Sequence, residues 1–368
     1  MRVIHIVNLQ NFGGIETLVT QLSEHQLEKQ QLDVRILTPL KNKKTEVIPR
    51  KLKLEVINGR LNSGFDFNLK KLWEIYKIFR AEDIIHFHGF NVFLFICAIL
   101  ANKRIIYTEH GTFQRTNQYL SLRKFIKKRI IGYFFLRYFT DKVVFNSKWL
   151  LEKVGLKSKN NIVILNGIDI DKNHKIKTVE DELFRILTVG RFIRKKRIDR
   201  LIKGISYIEK KAGVRLELVG DGSDYKYLEK LANAILPKES FLFHGFQKNV
   251  EEYYSKSNLF VLPTEGEPFG MVVLEAMLHE IPVICFSDGG GALEIVDDIH
   301  PRLIVNDEKD LARAIEFWRD HKVERELVGK KLRQHVVEKF SLKRMASDYL
   351  RLYSLVMGSS IHPNSKTD

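Results

Sequence analysis

Short runs of apolar, mostly β-branched residues alternate with longer stretches of helical period along the chain. In the first half "RVIHIVN", "DVRILTP", "LEVI", "DIIHFHG", "RIIYTEHG", "KVVFNS" and "NIVILNG" predict strands bounded by Gly, Asn or Pro. Helical stretches near 16–29, 69–81, 90–102, 121–138 and 147–155 separate most of them. The polar stretch "NGIDIDKNHKIKTVEDE" reads as a linker. Beyond it the pattern restarts with "RILTVG", "RLELVGDG", "SFLFHG", "NLFVLPT", "IPVICF" and "PRLIV". Strands that are apolar throughout, not only at alternate positions, belong to parallel sheets covered by helices on both faces. The pattern therefore predicts an α/β chain of two doubly wound parallel-sheet domains, residues 1–172 and 173–342, followed by a helix and polar tail over 343–368. No repeat of 20–50 residues is visible, which argues against a solenoid.

Of 368 residues, 44% are apolar and 29% charged, the make-up of a folded soluble protein too long for one core. The net charge of +16 is unevenly placed. Up to residue 170, 28 Lys and Arg face 14 Asp and Glu, whereas from 171 onward 33 face 31. The first half is thus a basic body that suits an anionic membrane surface, a nucleic acid or an acidic ligand, or is simply a solvated lysine-rich face. Cys97 and Cys285 sit in apolar runs without metal or redox spacing and read as buried thiols of a reducing compartment. The N-terminus enters a strand directly and lacks a signal-type apolar segment. The longest uncharged apolar run, residues 92–101, is about half of what a spanning helix needs. A cytoplasmic protein without a transmembrane segment is expected.

In open α/β sheets ligands bind at the carboxyl ends of the strands. Those ends carry "NLQNFGGIE", "HFHGF", "TEHGTF", "VGRFIRKKR", "VGDG" and "TEGEPFG", so Gly, His and charge gather where two domains would share one cleft. Gly13 and Gly14 open a helix after the first strand, where free N–H groups and the dipole favour an anion. A plain tight turn explains them equally well. Arg191 and Lys196, five apart after the first strand of the second domain, suit a diphosphate, Arg as a planar fork and Lys as a point charge. Such residues are also common on solvated loops.

"EGEPFGMVVLEAM", residues 265–277, sets three carboxylates in an otherwise apolar run, which a core tolerates only when they have partners. Glu267 falls at the mouth of the helix that begins there and Glu275 on its second turn. A carboxylate is a bidentate acceptor for vicinal hydroxyls. The N–H groups of Phe269, Gly270 and Met271 stay open at the helix start for a phosphate or a sugar hydroxyl. Capping alone accounts for Glu267 but not for Glu275, which lies between Leu274 and Ala276.

The Glu–seven residues–Glu pattern at Glu267 and Glu275 resembles the signature of the retaining family-4 glycosyltransferases of GT-B fold, the glycosyl transferases group 1. "GGIE", "EHG", "NGID", "VGR" with a lysine five on, "VGDG", "PVI" and "GGALEIV" follow in the same order as in that family. The resemblance covers nearly the whole chain, down to "KFSLKRMASDYLRLYSLV", similar to the helix that in this fold crosses back to the first domain. It implies two Rossmann-like domains facing across a cleft, the first for the acceptor and the second for a nucleotide-sugar. It implies Glu275 on the ribose hydroxyls, Arg191 and Lys196 on the diphosphate, and Glu267 with the Phe269, Gly270 and Met271 backbone on the sugar. Gly13 and Gly14 would reach the phosphates and His110 the anomeric centre, so that His110, Glu267, Arg191 and Lys196 form the catalytic set. Arg197 stands where the family usually has glycine, which leaves open whether Lys196 or Lys195 contacts the diphosphate.

The implied chemistry is hexosyl transfer with retention, with the Arg–Lys pair and helix ends in place of a metal. No cofactor is expected, and a UDP-sugar is placed ahead of a GDP-sugar as donor. The rival metal sites are Asp169 with Asp171, ordinary turn chemistry after Asn-Gly, and His86 with His88, which alternate at a strand end without a carboxylate.

Residues 121–142 carry seven cations, one acid and six aromatics. Arg123, Lys124, Lys127 and Lys128 cluster on one helical face and Leu122, Phe125, Ile126 and Tyr133 on another. This reads as a helix lying on an anionic membrane, or as a core-packed helix with a solvated basic side. A glycan or polyprenyl-linked acceptor in cell-surface polysaccharide synthesis would fit the basic first half. Two other classes compete. An epimerase of similar fold would need a carboxylate pair in the first domain, where only Glu109 stands beside His110. A nucleic-acid-binding protein would need a recognisable module or patterned stacking aromatics, and neither is present, so no nucleic-acid partner is expected.

Overall fold

The computed structural model describes residues 1–9, 13–38, 48–49, 51–57, 69–113, 122–171, 183–209 and 213–358, with backbone alone for 122–128. Most of the expected linker, the polar tail and Ser121 of the basic segment lie outside the described residues. The chain divides into two compact units, Met1–Asp169 with Leu342–Asp368, and Ile170–Ser341.

In the first unit β1 (Arg2–Ile6), α1 (Gly14–Glu28), β2 (Asp33–Thr38), β3 (Lys53–Val56), α2 (Leu69–Arg80) and β4 (Ile84–Phe87) lead into the second half of the sheet. There α3 (Val92–Leu100), β5 (Arg104–Glu109), α4 (Leu122–Tyr138), β6 (Lys142–Phe145), α5 (Lys148–Val154) and β7 (Asn161–Val163) follow. The strands form one sheet in the order β3-β2-β1-β4-β5-β6-β7, and every pairing is parallel. The apolar runs are buried as continuous strands need, and Phe79, Phe87, Phe95, Tyr107 and Phe145 fill one core face. The C-terminal helix Leu342–Met357 belongs to this unit. Its Arg344 donates to the carbonyls of Leu165 and Asn166 at 2.9 and 3.0 Å.

The second unit runs β8 (Phe184–Val189), α6 (Ile198–Ser206), β9 (Val214–Val219), α7 (Tyr225–Ile235), β10 (Phe241–Gly245), α8 (Glu251–Ser255) and β11 (Leu259–Leu262). It continues with α9 (Met271–Leu278), β12 (Val283–Phe286), α10 (Leu293–Val296), β13 (Ile304–Val305), α11 (Glu308–Asp320) and α12 (Lys322–Lys339). The order is β10-β9-β8-β11-β12-β13, again parallel throughout. "PRLIV" is less of a strand than its pattern predicts. Pro301–Leu303 form a 3-10 turn and only Ile304 and Val305 pair with β12, because proline has no N–H for a ladder.

Each sheet reverses its order at its first strand, β1 lying between β2 and β4 and β8 between β9 and β11. At such a switch point adjacent loops leave in opposite directions and open a crevice at the strand ends. The segments with chemical character follow these strands: Gly13 comes after β1, His88 after β4, Arg191 after β8 and Glu265–Gly270 after β11. No helix among the described residues is long and apolar enough to cross a membrane.

Candidate functional site

The loop after β11 is stitched to the loop after β12 by main-chain bonds. Gly266 N–H donates to Asp288 O at 2.8 Å, Glu267 N–H to Gly289 O at 3.0 Å, and Gly291 N–H to Glu267 O at 2.7 Å. Gly290, at φ +74°, makes this possible: a Cβ there would sit 2.8 Å from Glu267 O and 2.9 Å from Glu267 N. The chain then turns through Gly270 into α9. Phe269 is buried against Phe340. Among the described residues no protein group takes the N–H of Phe269, Gly270 or Met271, as the open first turn of a helix requires.

The three carboxylates each meet a different partner. Glu265 accepts from Arg197 Nη1 at 3.2 Å. Glu267 accepts from Lys196 Nζ at 2.6 Å. Glu275 accepts from the hydroxyl of buried Tyr254 at 2.8 Å. Burial pushes the Glu267 carboxyl up, but Lys196, Lys195 and Arg191 together overcome this and hold it below its ordinary value. Burial lowers the Lys195 ammonium, which Glu267 pulls back up and Lys196 lowers further. A compact group of cations thus surrounds one ionised carboxylate.

The cations are placed by backbone packing. Gly220, at φ +150°, lies so close to the strand-β8 end that a Cβ would meet Gly190 O at 1.8 Å. Phe192 exchanges main-chain bonds with Asp221 and Asp224 at 2.9 and 2.8 Å, fixing exposed Arg191 at the loop's start. Arg194–Lys196 form a 3-10 turn, and Lys195 O accepts from Glu265 N–H at 3.3 Å. Arg197 follows at φ +48°, ψ +37°. The left-handed geometry that glycine would supply is kept by an arginine, whose side chain also pairs with Asp199 at 3.3 Å.

Arg200 is a contributor that sequence reasoning missed. Buried on α6, it makes a fork to Asp288 at 2.9 and 2.6 Å, donates to Pro263 O at 2.7 Å, and lies 3.8 Å over the Phe286 ring. One guanidinium therefore ties α6 to both loops that frame Glu267. Its only trace in the sequence is a cation between Asp199 and Leu201, indistinguishable there from the basic run before it.

In the first unit, Glu109 folds the "TEHGTF" turn. Its carboxylate accepts from Gly111 N–H at 2.7 Å, Phe113 N–H at 3.1 Å and Tyr107 hydroxyl at 2.8 Å. A carboxylate so committed is a brace, which removes the one candidate acid for an epimerase. His110, next to it, is buried; its Nε2 meets His88 Nδ1 at 3.2 Å, and its Nδ1 has no partner among the described residues. Gly13 N–H already donates to Glu16 at 2.9 Å, and Gly14 is the first residue of α1.

Among the described residues the one trio of candidate metal ligands is His5, His86 and His88, with nitrogens within 4.8 Å of one another. All six of their ring nitrogens are bonded, to Gln26, Tyr353, Thr108, His110 or each other. An ion would have to displace those bonds in a site without a carboxylate. Asp169 and Asp171 belong to no such group.

Of the two faces expected on helix α4, the described side chains include only Tyr133. Tyr133 points inward: its ring meets Phe113 edge-on at 5.6 Å and its hydroxyl bonds Val154 O. An exposed stripe is formed by Ile130, Phe134 and Tyr138, one helical turn apart. Gly132 lets the helix seat on Phe113, whose ring would lie 2.4 Å from a Cβ there.

Two doubly wound parallel sheets, one in each unit, are the construction of the GT-B glycosyltransferase class. The solved structure of Anabaena HepE, in complex with UDP and glucose, has a TM-score of 0.81 to it at 18% identity, covering 96% of this chain and 100% of that one. Residues 12–172 match the model for glycosyltransferase family 4 and residues 169–335 that for glycosyl transferases group 1. The chain belongs to this glycosyltransferase family. An uncharacterised 41.2 kDa protein in the cps region of Klebsiella pneumoniae is 26% identical, over 96% of this chain and 99% of its own length. A capsular polysaccharide biosynthesis glycosyltransferase of Staphylococcus aureus is 30% identical, over 56% of this chain and 58% of its own.

Proposed function

We propose that the enzyme moves a hexose, with retention, from a nucleotide-sugar to a glycan or polyprenyl-linked saccharide during cell-surface polysaccharide synthesis. A UDP-sugar is the preferred donor in this reading, and no metal or cofactor takes part. The observation that carries it is the ion pair of Lys196 with Glu267 at 2.6 Å, set among Lys195 and Arg191.

Arg191 with Lys196 or Lys195 receives the diphosphate, Glu275 the ribose hydroxyls, and Glu267 with the open N–H groups of Phe269, Gly270 and Met271 the sugar. The bond from C1 to the diphosphate oxygen breaks as the acceptor hydroxyl oxygen bonds C1 on the same face, and the acceptor proton passes to the leaving phosphate. Fixed cations stabilise that departing charge where many transferases use a divalent ion. Gly13, Gly14 and His110 are the first unit's contributions, Gly14 to the phosphates and His110 to the sugar.

The capsular and cps-region relatives support the biosynthetic setting, and the UDP and glucose bound by HepE support the donor class. The exposed stripe of Ile130, Phe134 and Tyr138 on a helix of basic sequence supports a peripheral contact with an anionic membrane at its cytoplasmic face. The test is release of nucleoside diphosphate from a panel of nucleotide-sugars, with and without a lipid-linked saccharide, in EDTA. Acceptor-stimulated release in EDTA is expected. Release absent from every donor, or interconversion of donors without release, would remove the transferase reading.

A further inference from the structure

Three histidines and a glutamine form a bonded row inside the first unit, and a fourth histidine joins the same glutamine by a branch. Gln26 Oε1 lies 2.8 Å from His5 Nε2, His5 Nδ1 lies 2.9 Å from His88 Nε2, and His88 Nδ1 lies 3.2 Å from His110 Nε2. A second branch leaves the same amide. Gln26 Nε2 faces Tyr353 OH at 3.5 Å, and that hydroxyl lies 2.7 Å from His86 Nδ1. His86 Nε2 then meets Thr108 Oγ1 at 2.7 Å. All these side chains are buried.

A neutral imidazole has one donor and one acceptor nitrogen. Burial lowers the basicity of every one of these rings, with His5 and His110 at about 4 and His86 and His88 well below their ordinary value. The rings are therefore neutral near pH 7, and the direction of one bond dictates the next. A carbonyl oxygen only accepts, so His5 Nε2–H donates to Gln26. His5 Nδ1 must then accept from His88 Nε2–H, and His88 Nδ1 from His110 Nε2–H.

We propose that Gln26, acting through His5 and His88, fixes His110 with its proton on Nε2, leaving Nδ1 as a bare lone pair that accepts a hydrogen bond from a ligand hydroxyl. Turning the Gln26 amide over would reverse the whole row and leave His110 with a buried, unpartnered N–H, which is the rarer and costlier orphan. In the second branch the Gln26 amino group faces Tyr353, whose own proton then goes to His86; because a hydroxyl both donates and accepts, this branch runs in either direction, and the orphaned N–H on His110 is what disfavours the reversal. Gln26, His5 and His88 are positioning residues in this account. The identity of the hydroxyl as one of the donor sugar rests on the transferase reading; the tautomer does not.

The experiment is a long-range proton–nitrogen correlation spectrum of the full chain with 15N-labelled histidine, at about pH 7 and without nucleotide-sugar. His110 is assigned by the loss of its cross-peaks in His110→Gln. The protonated Nε2, unprotonated Nδ1 pattern is expected for His110, and Gln26→Glu, which keeps the acceptor, should preserve it. In Gln26→Leu, checked for folding by its melting curve, the pattern should become mixed or reversed. A wild-type His110 protonated on Nδ1, or a folded Gln26→Leu with an unchanged pattern, would overturn the proposal. Because no donor is present, failure of the transferase reading leaves these spectra as they are.

Discussion

Arg197 holds a left-handed conformation, φ +48°, at the junction of the cation-bearing turn and α6. A residue with a Cβ is strained there by roughly 1–2 kcal/mol relative to the right-handed region, a strain glycine avoids. Its exposed pair with Glu265 and half-buried pair with Asp199 offset part of that cost. Two substitutions separate these effects. Arg197→Ala loses the pairs and keeps the strain, whereas Arg197→Gly loses both. The glycine variant should therefore be the more stable of the two by about 1 kcal/mol in denaturant titration; equal stabilities would mean the backbone is unstrained.

The Lys196–Glu267 pair carries a pH signature. Glu267 sits below its ordinary 4.5, so the pair's contribution to folding is present above that value and is lost as pH falls through the folded pKa. In Lys196→Met, burial acts on the carboxyl without its main counter-charge. The variant should be less stable by roughly 1.5–3 kcal/mol near neutral pH, and the gap should shrink towards pH 4 and below. A gap that stays constant across paired melts would mean the pair does not hold the carboxylate ionised.

Glu267 and Glu275 were legible in the sequence because charge in an apolar run demands a partner. Arg200, His5 and Gln26 were not. Arg200 and Gln26 sit among other polar residues, and His5, though alone in an apolar strand, gives no sign of its partner, which only the fold brings to it.

At the scale of elements, the strand–helix alternation was legible because fully apolar strands have few alternatives to a parallel sheet. Whether Tyr133 of α4 meets the core or a bilayer was not, since either use asks for the same apolar side chains. Gly132 decides the matter by letting Phe113 approach, which turns Tyr133 inward and leaves Phe134 exposed. If this helix lies on an anionic bilayer, its sequence cations near the surface contribute about 1 kcal/mol each, less in high salt. Arg123, Lys124, Lys127 and Lys128 changed together to Gln should release the protein from acidic vesicles in co-sedimentation, and Phe134→Ser should weaken binding at any salt. Donor hydrolysis in solution should persist, because the cations proposed for the diphosphate belong to the other unit. A quadruple variant that sediments like the parent would show a merely solvated face.

For the whole molecule, the chain divides into two units of the same construction, with the excess charge almost entirely up to residue 170. The division was readable from the restart of the strand pattern after a polar stretch. The sugar, the base and the acceptor were not readable, because carboxylates, cations and open N–H groups answer to hydroxyls and phosphates that every nucleotide-sugar carries. What the second unit shows is an ionised Glu267 among Lys196, Lys195 and Arg191, with Glu275 on the helix that follows; the proposed function makes of these a metal-free diphosphate site with a ribose acceptor beside it. Calorimetric titration of UDP and GDP in EDTA, into wild type, Arg191→Ala and Glu275→Gln, tests that statement most directly. The account predicts that at least one of the nucleotides binds wild type without divalent metal and that each substitution weakens it about tenfold or more, as loss of a charged hydrogen-bonding group requires. Binding that appears only after magnesium or manganese is added, or that both variants retain at full strength, would contradict it.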